Sequence, residues 1–231
     1  CKYSILAFVP ETISRIQSYW KHYLEFGNTF AFKPKFKLDS NNNLILIKQY
    51  IDDFNKYKRI KQNKDFIRSN DRFYNDKFKK YYFKFPYTLS FFKNFFFNFN
   101  IFYSLTKNLI KKDIKIQDRL FEYVMKSNLN HSQKLYDEIK SVSLLRSILN
   151  EFILKSKKKK LIPIIIVIPQ LQDLKSTKSN HIKFFKDFKS NNSITIDMSE
   201  KFKNYKPIED LYIDDLYGGH LSSLGNELVS K

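Results

Sequence analysis

The chain has 231 residues, enough for one sizeable domain or a small one carrying an insertion, and its single cysteine, Cys1, excludes an internal disulfide and a cysteine-based zinc site. Its 42 Lys+Arg against 23 Asp+Glu give a formal net charge of +19, which favours an anionic partner. Yet 36 of the cations are Lys and only 6 are Arg, beside 20 Asn, 24 Phe, 15 Tyr and 2 Ala, the skew of an AT-rich coding sequence; the scarcity of Arg, the best reader of phosphates and bases, argues against nucleic acid as the main partner.

Residues Tyr3 to Val9 form an apolar run ended by Pro10, predicted to be a buried parallel strand. Pro10, Glu11 and Thr12 then open a helix expected to reach about Phe26. Strand, loop and helix make half of a βαβ unit, which sets Glu11, Thr12 and Arg15 at the carboxyl end of the strand, where sites of open α/β sheets gather. An ordinary helix-surface ion pair between Glu11 and Arg15, four residues apart, is the alternative reading of those residues. Phe32 to Ile51 alternates around Asp39-Ser40-Asn41-Asn42-Asn43 and is predicted to be a β-hairpin, an appendage near a substrate entrance.

From Asp52 to about Lys160 there is no glycine, and the segment is expected to be a helical insertion. Its Phe-rich part, Tyr87 to Leu109, is interrupted by Lys93, Asn94, Asn98 and Asn100, so a buried or interfacial amphipathic helix is expected rather than a membrane span. Ile116 to Leu154 has the period of a helix pair, with a turn expected at Asn128–Ser132 and His131 in it as an exposed or capping residue. Lys157 to Lys160 is read as a solvated helix end guarding the apolar octet Leu161 to Ile168, predicted to be a core strand buried on both faces. A short amphipathic helix over His181 to Phe188, in which His181 is given a structural role, and a strand over Ser193 to Met198 complete the pattern. The expected organisation is therefore a strand, helix and hairpin over 1–51, a helical insertion over 52–160, and a return to the α/β core over 161–231.

Three of the four glycines, Gly218, Gly219 and Gly225, lie in the last stretch, DLYIDDLYGGHLSSLGNELVSK. Glycine clustered beside one His and two Asp suggests a shaped loop that positions an imidazole. Ser222 or Ser223 can cap the helix that follows, with Leu224, Leu228 and Val229 as its apolar face. This block, an Asp, a short loop, Gly-His-Leu-Ser, two residues and Gly-Asn, resembles the last motif block of the SGNH (GDSL-type) hydrolases. These are serine esterases and acyl-transfer enzymes whose catalytic Asp and His lie close together near the C-terminus.

The resemblance implies that His220 is the general base and that Asp215 or Asp214 orients it; the commonest family spacing puts the Asp three residues before the His, where this chain has Tyr217. A weaker likeness over Ser4 to Ile47 implies substrate contacts by Glu11, Thr12 and Arg15, although the family's Gly-x-Asn-Asp signature is absent. The implied fold is the C-terminal half of a flavodoxin-like three-layer α/β/α hydrolase with a large helical insertion. The implied chemistry needs no metal and no organic cofactor, and its substrate is an ester of a sugar or another small alcohol.

In the family the nucleophilic Ser sits in a Gly-x-Ser turn after the first strand, and this chain contains no Gly-x-Ser. The sequence is accordingly read as a piece lacking the nucleophile block and inactive by itself. The second reading, of a different class, is a non-catalytic basic protein that binds a membrane surface or an anionic polymer. No cellular location and no oligomeric state is read from the residues.

Overall fold

The structure is a computed structural model and describes residues 2–25, 30–111, 116–177, 179–188, 193–213 and 219–231. In chain order its elements are β1 (Tyr3–Phe8), α1 (Thr12–Arg15), α2 (Lys21–Glu25), β2 (Lys35–Leu38), β3 (Leu44–Ile47), α3 (Phe54–Lys58), α4 (Lys64–Asn70), a π-helical turn (Tyr74–Phe78) and α5 (Lys79–Tyr81). They continue with α6 (Tyr87–Lys93), α7 (Phe95–Lys111), α8 (Ile116–Leu135), α9 (Ile139–Lys158), β4 (Ile162–Val167), α10 (Leu171–Lys175), α11 (Asn180–Asp187), β5 (Ile194–Asp197), α12 (Ser199–Lys203), a 3-10 turn (Ile208–Leu211) and α13 (Ser223–Ser230). Two compact units result: Cys1–Ile16, Phe36–Ile45 and Leu129–Lys231 form the first, Gln17–Lys35 and Leu46–Asn128 the second.

The first unit is mixed α/β around a parallel sheet in the order β1-β4-β5. Tyr3 is in register with Ile162 and Phe8 with Val167, and Ile164 faces Ile194 across the next ladder. Parallel strands need crossovers, and the long α9 and the short α11 lie against β4 and β5 respectively. Leu145, Leu149, Ile153, Ile165, Val167, Phe184 and Phe185 are buried in this layer, and Phe8 meets Phe185 edge-on at 5.2 Å. The sequence reading assigned α9 to the insertion; in the structure it belongs to the sheet-bearing unit.

Burial of β4 alternates, with Pro163, Ile165 and Val167 buried and Ile162, Ile164 and Ile166 less so, where burial on both faces was expected. The carboxyl end of the second face is covered: Ile166 and Ile168 meet the cluster of Leu171, Leu174, Met198, Phe202, Leu211 and Tyr212, joined by Leu228 and Val229 of α13. Its amino-terminal part is open. Ile5 is 60% exposed, and Tyr3, Ile162 and Ile194 are exposed with it.

The hairpin forms as predicted. Asp39 Oδ1 accepts from the backbone N–H of Asn41 at 2.9 Å and of Asn43 at 2.8 Å, and Asn42 takes a left-handed φ of 61°, a conformation Asn tolerates. Two other expectations are corrected. The helix expected to reach Phe26 breaks after Arg15 and resumes at Lys21, because Tyr19 N and Trp20 N donate to the Asp71 carboxylate instead of to helix carbonyls. The turn expected at Asn128–Ser132 lies at Tyr136–Glu138, and His131 is in α8. Asn128, Ser132 and Gln133 are buried in that helix because each finds a polar partner: Lys77, Ser14 and Asp173.

In the second unit Trp20 stacks on Phe32, with centroids 5.0 Å apart and ring planes 8° from parallel, and Tyr19 sits edge-on to Phe66 at 5.7 Å. Lys35 Nζ donates to the carbonyls of Gln17 (3.0 Å) and Asn70 (2.9 Å), and Arg72 joins the Gln17 side chain to Asp76. Asp71 lies at the middle of this network, buried.

Candidate functional site

His220 is exposed, at the base of a loop that the chain closes on itself. Ile213 N donates to His220 O at 3.0 Å, Tyr212 and Leu221 form an antiparallel bridge, and Ser222 N donates to Leu211 O at 2.9 Å. Ser222 is the N-cap of α13, its Oγ accepting from Gly225 N at 3.1 Å and donating to Asp210 O at 2.6 Å, as a Ser at this position does. Leu228 and Val229 turn inward as expected, whereas Leu224 is exposed. The Tyr212 hydroxyl donates to Pro169 O at 2.7 Å, which ties the base of the His220 loop to the residues just after β4. Asp214, Asp215 and Tyr217, the carboxylates paired with His220 by the sequence reading and the residue at the usual family position, lie outside the described residues.

The residues after β1 are also at the carboxyl edge of the sheet. Glu11 is fully buried and pairs with Arg15 Nη2 at 2.8 Å, whose side chain keeps 35% exposure; Thr12 opens α1, half-buried. The four-residue spacing thus forms the ion pair given as the alternative reading of Arg15. Ser14 Oγ donates to Glu11 O at 2.8 Å and accepts from Ser132 Oγ at 3.1 Å, while Tyr136 OH donates to Pro10 O at 2.8 Å. The C-terminal end of α8 and the turn after it are thereby fastened to α1 and to the loop after β1.

The sequence reading missed a polar cluster behind this edge. Asp173 is the third residue of a capping box: Gln170 N donates to its Oδ2 at 3.0 Å, and Gln133 Nε2 donates to its Oδ1 at 2.9 Å. The same Gln133 amide nitrogen lies 3.1 Å from His181 Nδ1. His181 Nδ1 also lies 3.4 Å from Gln133 Oε1, so the Gln133 amide faces this ring nitrogen with both its ends, while Nε2 is buried with no hydrogen-bond partner among the described residues. A capping pattern could have been read from Gln170 and Asp173; the long-range Gln133 contact leaves no mark in a single sequence.

Burial pushes the Asp173 carboxyl up to about 6 and the His181 imidazole down to about 4, in the latter case against the field of Asp197 and with that of Lys203. Asp173, raised from 3.8, stabilises the fold below pH 3.8 and loses that contribution as pH rises through about 6. His181, lowered from 6.5, stabilises it above pH 6.5 and loses that contribution as pH falls through about 4. The two slopes oppose each other in the wild type. In His181→Gln the unfolding free energy from urea titrations is expected to fall by roughly 2–3 kcal/mol from pH 4 to pH 6.5, and in Asp173→Asn to rise over the same window. A His181→Gln curve that is flat or rising contradicts the assignment.

Comparison of the chain with protein-family models, curated proteins and solved structures found no match.

Proposed function

We propose that this chain is the base-bearing part of an SGNH-type serine esterase or O-acyltransferase. The observation that carries the reading is His220, exposed and next to the Tyr212–Leu221 bridge, which the Tyr212–Pro169 hydrogen bond ties to the carboxyl edge of the parallel sheet. That edge is where α/β sheets assemble sites, and a general base has to be accessible to the nucleophile it serves. The order β1-β4-β5, each strand beside its predecessor in the sheet, is compatible with the last three strands of a flavodoxin-like 2-1-3-4-5 sheet. The open face around Ile5 and Ile194 is what such a fold has when part of its covering layer is elsewhere, since parallel sheets are covered on both sides.

In this reading His220 Nε2 takes the proton from a Ser Oγ as the oxygen attacks an ester carbonyl, then returns it to the departing alkoxide. Asp215 or Asp214 holds Nδ1–H and so fixes the tautomer. Arg15, held by buried Glu11 and partly exposed, offers N–H donors to an ester oxygen beside Thr12. The Ser comes from residues outside these 231, which contain no Gly-x-Ser turn. The substrate is a small-molecule or carbohydrate ester, and the acceptor is water or a second alcohol.

The test is hydrolysis of p-nitrophenyl acetate by the chain alone and by the chain extended with the residues encoded directly upstream. The extended protein is expected to turn over and to be labelled by a fluorophosphonate, with kcat falling roughly 10³- to 10⁴-fold in His220→Ala; the 231 residues alone are expected to give no turnover. Full activity in His220→Ala sinks the reading. A non-catalytic role at a membrane surface is the second reading, favoured by the outward aromatic face of α7.

A further inference from the structure

We propose that the outward face of α6 and α7 is an anchor for the interface of an anionic phospholipid bilayer, a proposal independent of acyl transfer. Helix α7 carries large aromatic residues on its outward face as well as apolar ones on its inward face. Phe97, Asn98, Ile101, Ser104 and Leu105 face inward, where Asn98 Nδ2 donates to Phe91 O at 2.9 Å; Asn94, between α6 and α7, donates its Nδ2 to Lys80 O at 2.6 Å. Phe92, Phe96, Phe99, Phe102 and Tyr103, spaced three and four apart, face outward and are exposed, Phe96 to 82%. The asparagines satisfy backbone groups within the unit, and the aromatic rings are left for another phase.

What that phase is follows from the charge. From Lys79 to Lys111 there are thirteen aromatic residues, six lysines, no Asp, no Glu and no Arg. Lys79, Lys80, Lys84 and Lys93 line an open pocket of about 310 Å³ together with Phe85 and Leu89, at one end of the aromatic face. Ser90 fixes the shape of that pocket, its Oγ donating to Lys84 O at 2.7 Å and accepting from Lys84 N at 3.0 Å.

A pocket lined by four lysines together with Phe85 and Leu89 suits a phosphate headgroup whose acyl chains lie along the rings. Lysine stems reach past apolar surface to keep the charge in the headgroup layer, and Phe fills the acyl boundary. A protein partner fits less well, because protein interfaces are depleted in Lys and enriched in Arg. No described helix is long and apolar enough to cross a membrane, so the face lies on the bilayer.

The test is sedimentation of the full chain with phosphatidylcholine vesicles and with vesicles of phosphatidylcholine and phosphatidylserine at about 7:3. Binding to the anionic vesicles is expected to exceed binding to the neutral ones about tenfold or more, with the excess lost at high salt. Phe96→Ser/Phe99→Ser/Phe102→Ser removes outward rings only; it is expected to keep the wild-type circular dichroism and to weaken anionic-vesicle binding about 100-fold. Lys84→Glu/Lys93→Glu leaves the rings in place and is expected to abolish the preference for anionic vesicles. The proposal fails if the wild type sediments with neither vesicle. It fails also if the triple Phe variant binds like wild type, as charge alone would give, or if the wild type self-associates through these rings and ignores lipid.

Discussion

Replacing Asp71 by Ala is expected to lower the unfolding free energy of the second unit by about 3–5 kcal/mol, the range of a buried charged hub removed from its donors. One carboxylate oxygen, Oδ2, accepts from Tyr19 N at 2.6 Å, Trp20 N at 2.8 Å and Ser18 Oγ at 3.2 Å, and Oδ1 accepts from Phe73 N at 2.8 Å. Alanine leaves three backbone N–H groups without this acceptor in an interior where each unmade bond costs about 1–3 kcal/mol. It also removes the acceptor toward which the Tyr19 and Trp20 amides turn at the break between Arg15 and Lys21.

Burial raises the pKa of Asp71 even against its three backbone donors and the field of Lys35, so part of the ionic gain is lost to desolvation. Asn is therefore expected to be much milder than Ala, costing about 1–2 kcal/mol, since its carbonyl oxygen can take the Tyr19 and Trp20 donors and only the Phe73 contact is lost. Trp20, the one tryptophan, stacks on Phe32 beside this site, so its fluorescence in a urea titration reports the transition directly. An Ala variant within about 1 kcal/mol of wild type would falsify the role given to Asp71.

This hub also marks where reading the sequence stops working. The three sheet strands and the hairpin were legible because they are short apolar or alternating runs bounded by Pro, Asn and Asp, whose local chemistry decides the backbone. The helix from Pro10 was legible at its start and wrong at its end, because the break at Ile16–Trp20 is caused by a carboxylate more than fifty residues away. The misplaced turn in α8 has the same origin. Asn128 and Ser132 favour turns by themselves, and only partners from distant segments keep them helical.

The candidate site divides along the same line. His220, its capped helix and the Glu11–Arg15 pair are local patterns, and each is visible in a few consecutive residues. The Gln133–Asp173–His181 cluster is assembled from three helices and was invisible. The aromatic face of α7 was half legible: composition announced a Phe-rich helix, but which rings turn inward, as Phe97 does, and which outward, as Phe96 and Phe99 do, only the fold decides.

Gly225→Ala is expected to destabilise the first unit by about 2–3 kcal/mol, and here the sign is the test. Glycine at the third position of a helix lowers intrinsic stability, so on propensity alone Ala should stabilise by up to about 1 kcal/mol. Against that stands geometry: a Cβ at 225 would lie 2.3 Å from Leu211 O, 3.2 Å from Leu211 C and 3.1 Å from Leu221 Cδ2. Two of those atoms are backbone and cannot swing aside. Leu211 O is also the acceptor for Ser222 N, so pushing it away loosens the cap of α13 and the Tyr212–Leu221 bridge that closes the His220 loop. The glycine in the Leu-Gly-Asn run is therefore needed for close approach, with its helical backbone incidental. If the urea midpoint of Gly225→Ala falls and the ring proton shifts of His220 move with it, α13 seats the loop that carries His220. If the midpoint rises, α13 does not press on Leu211, and the loop has lost the support on which its placement at the sheet edge depends.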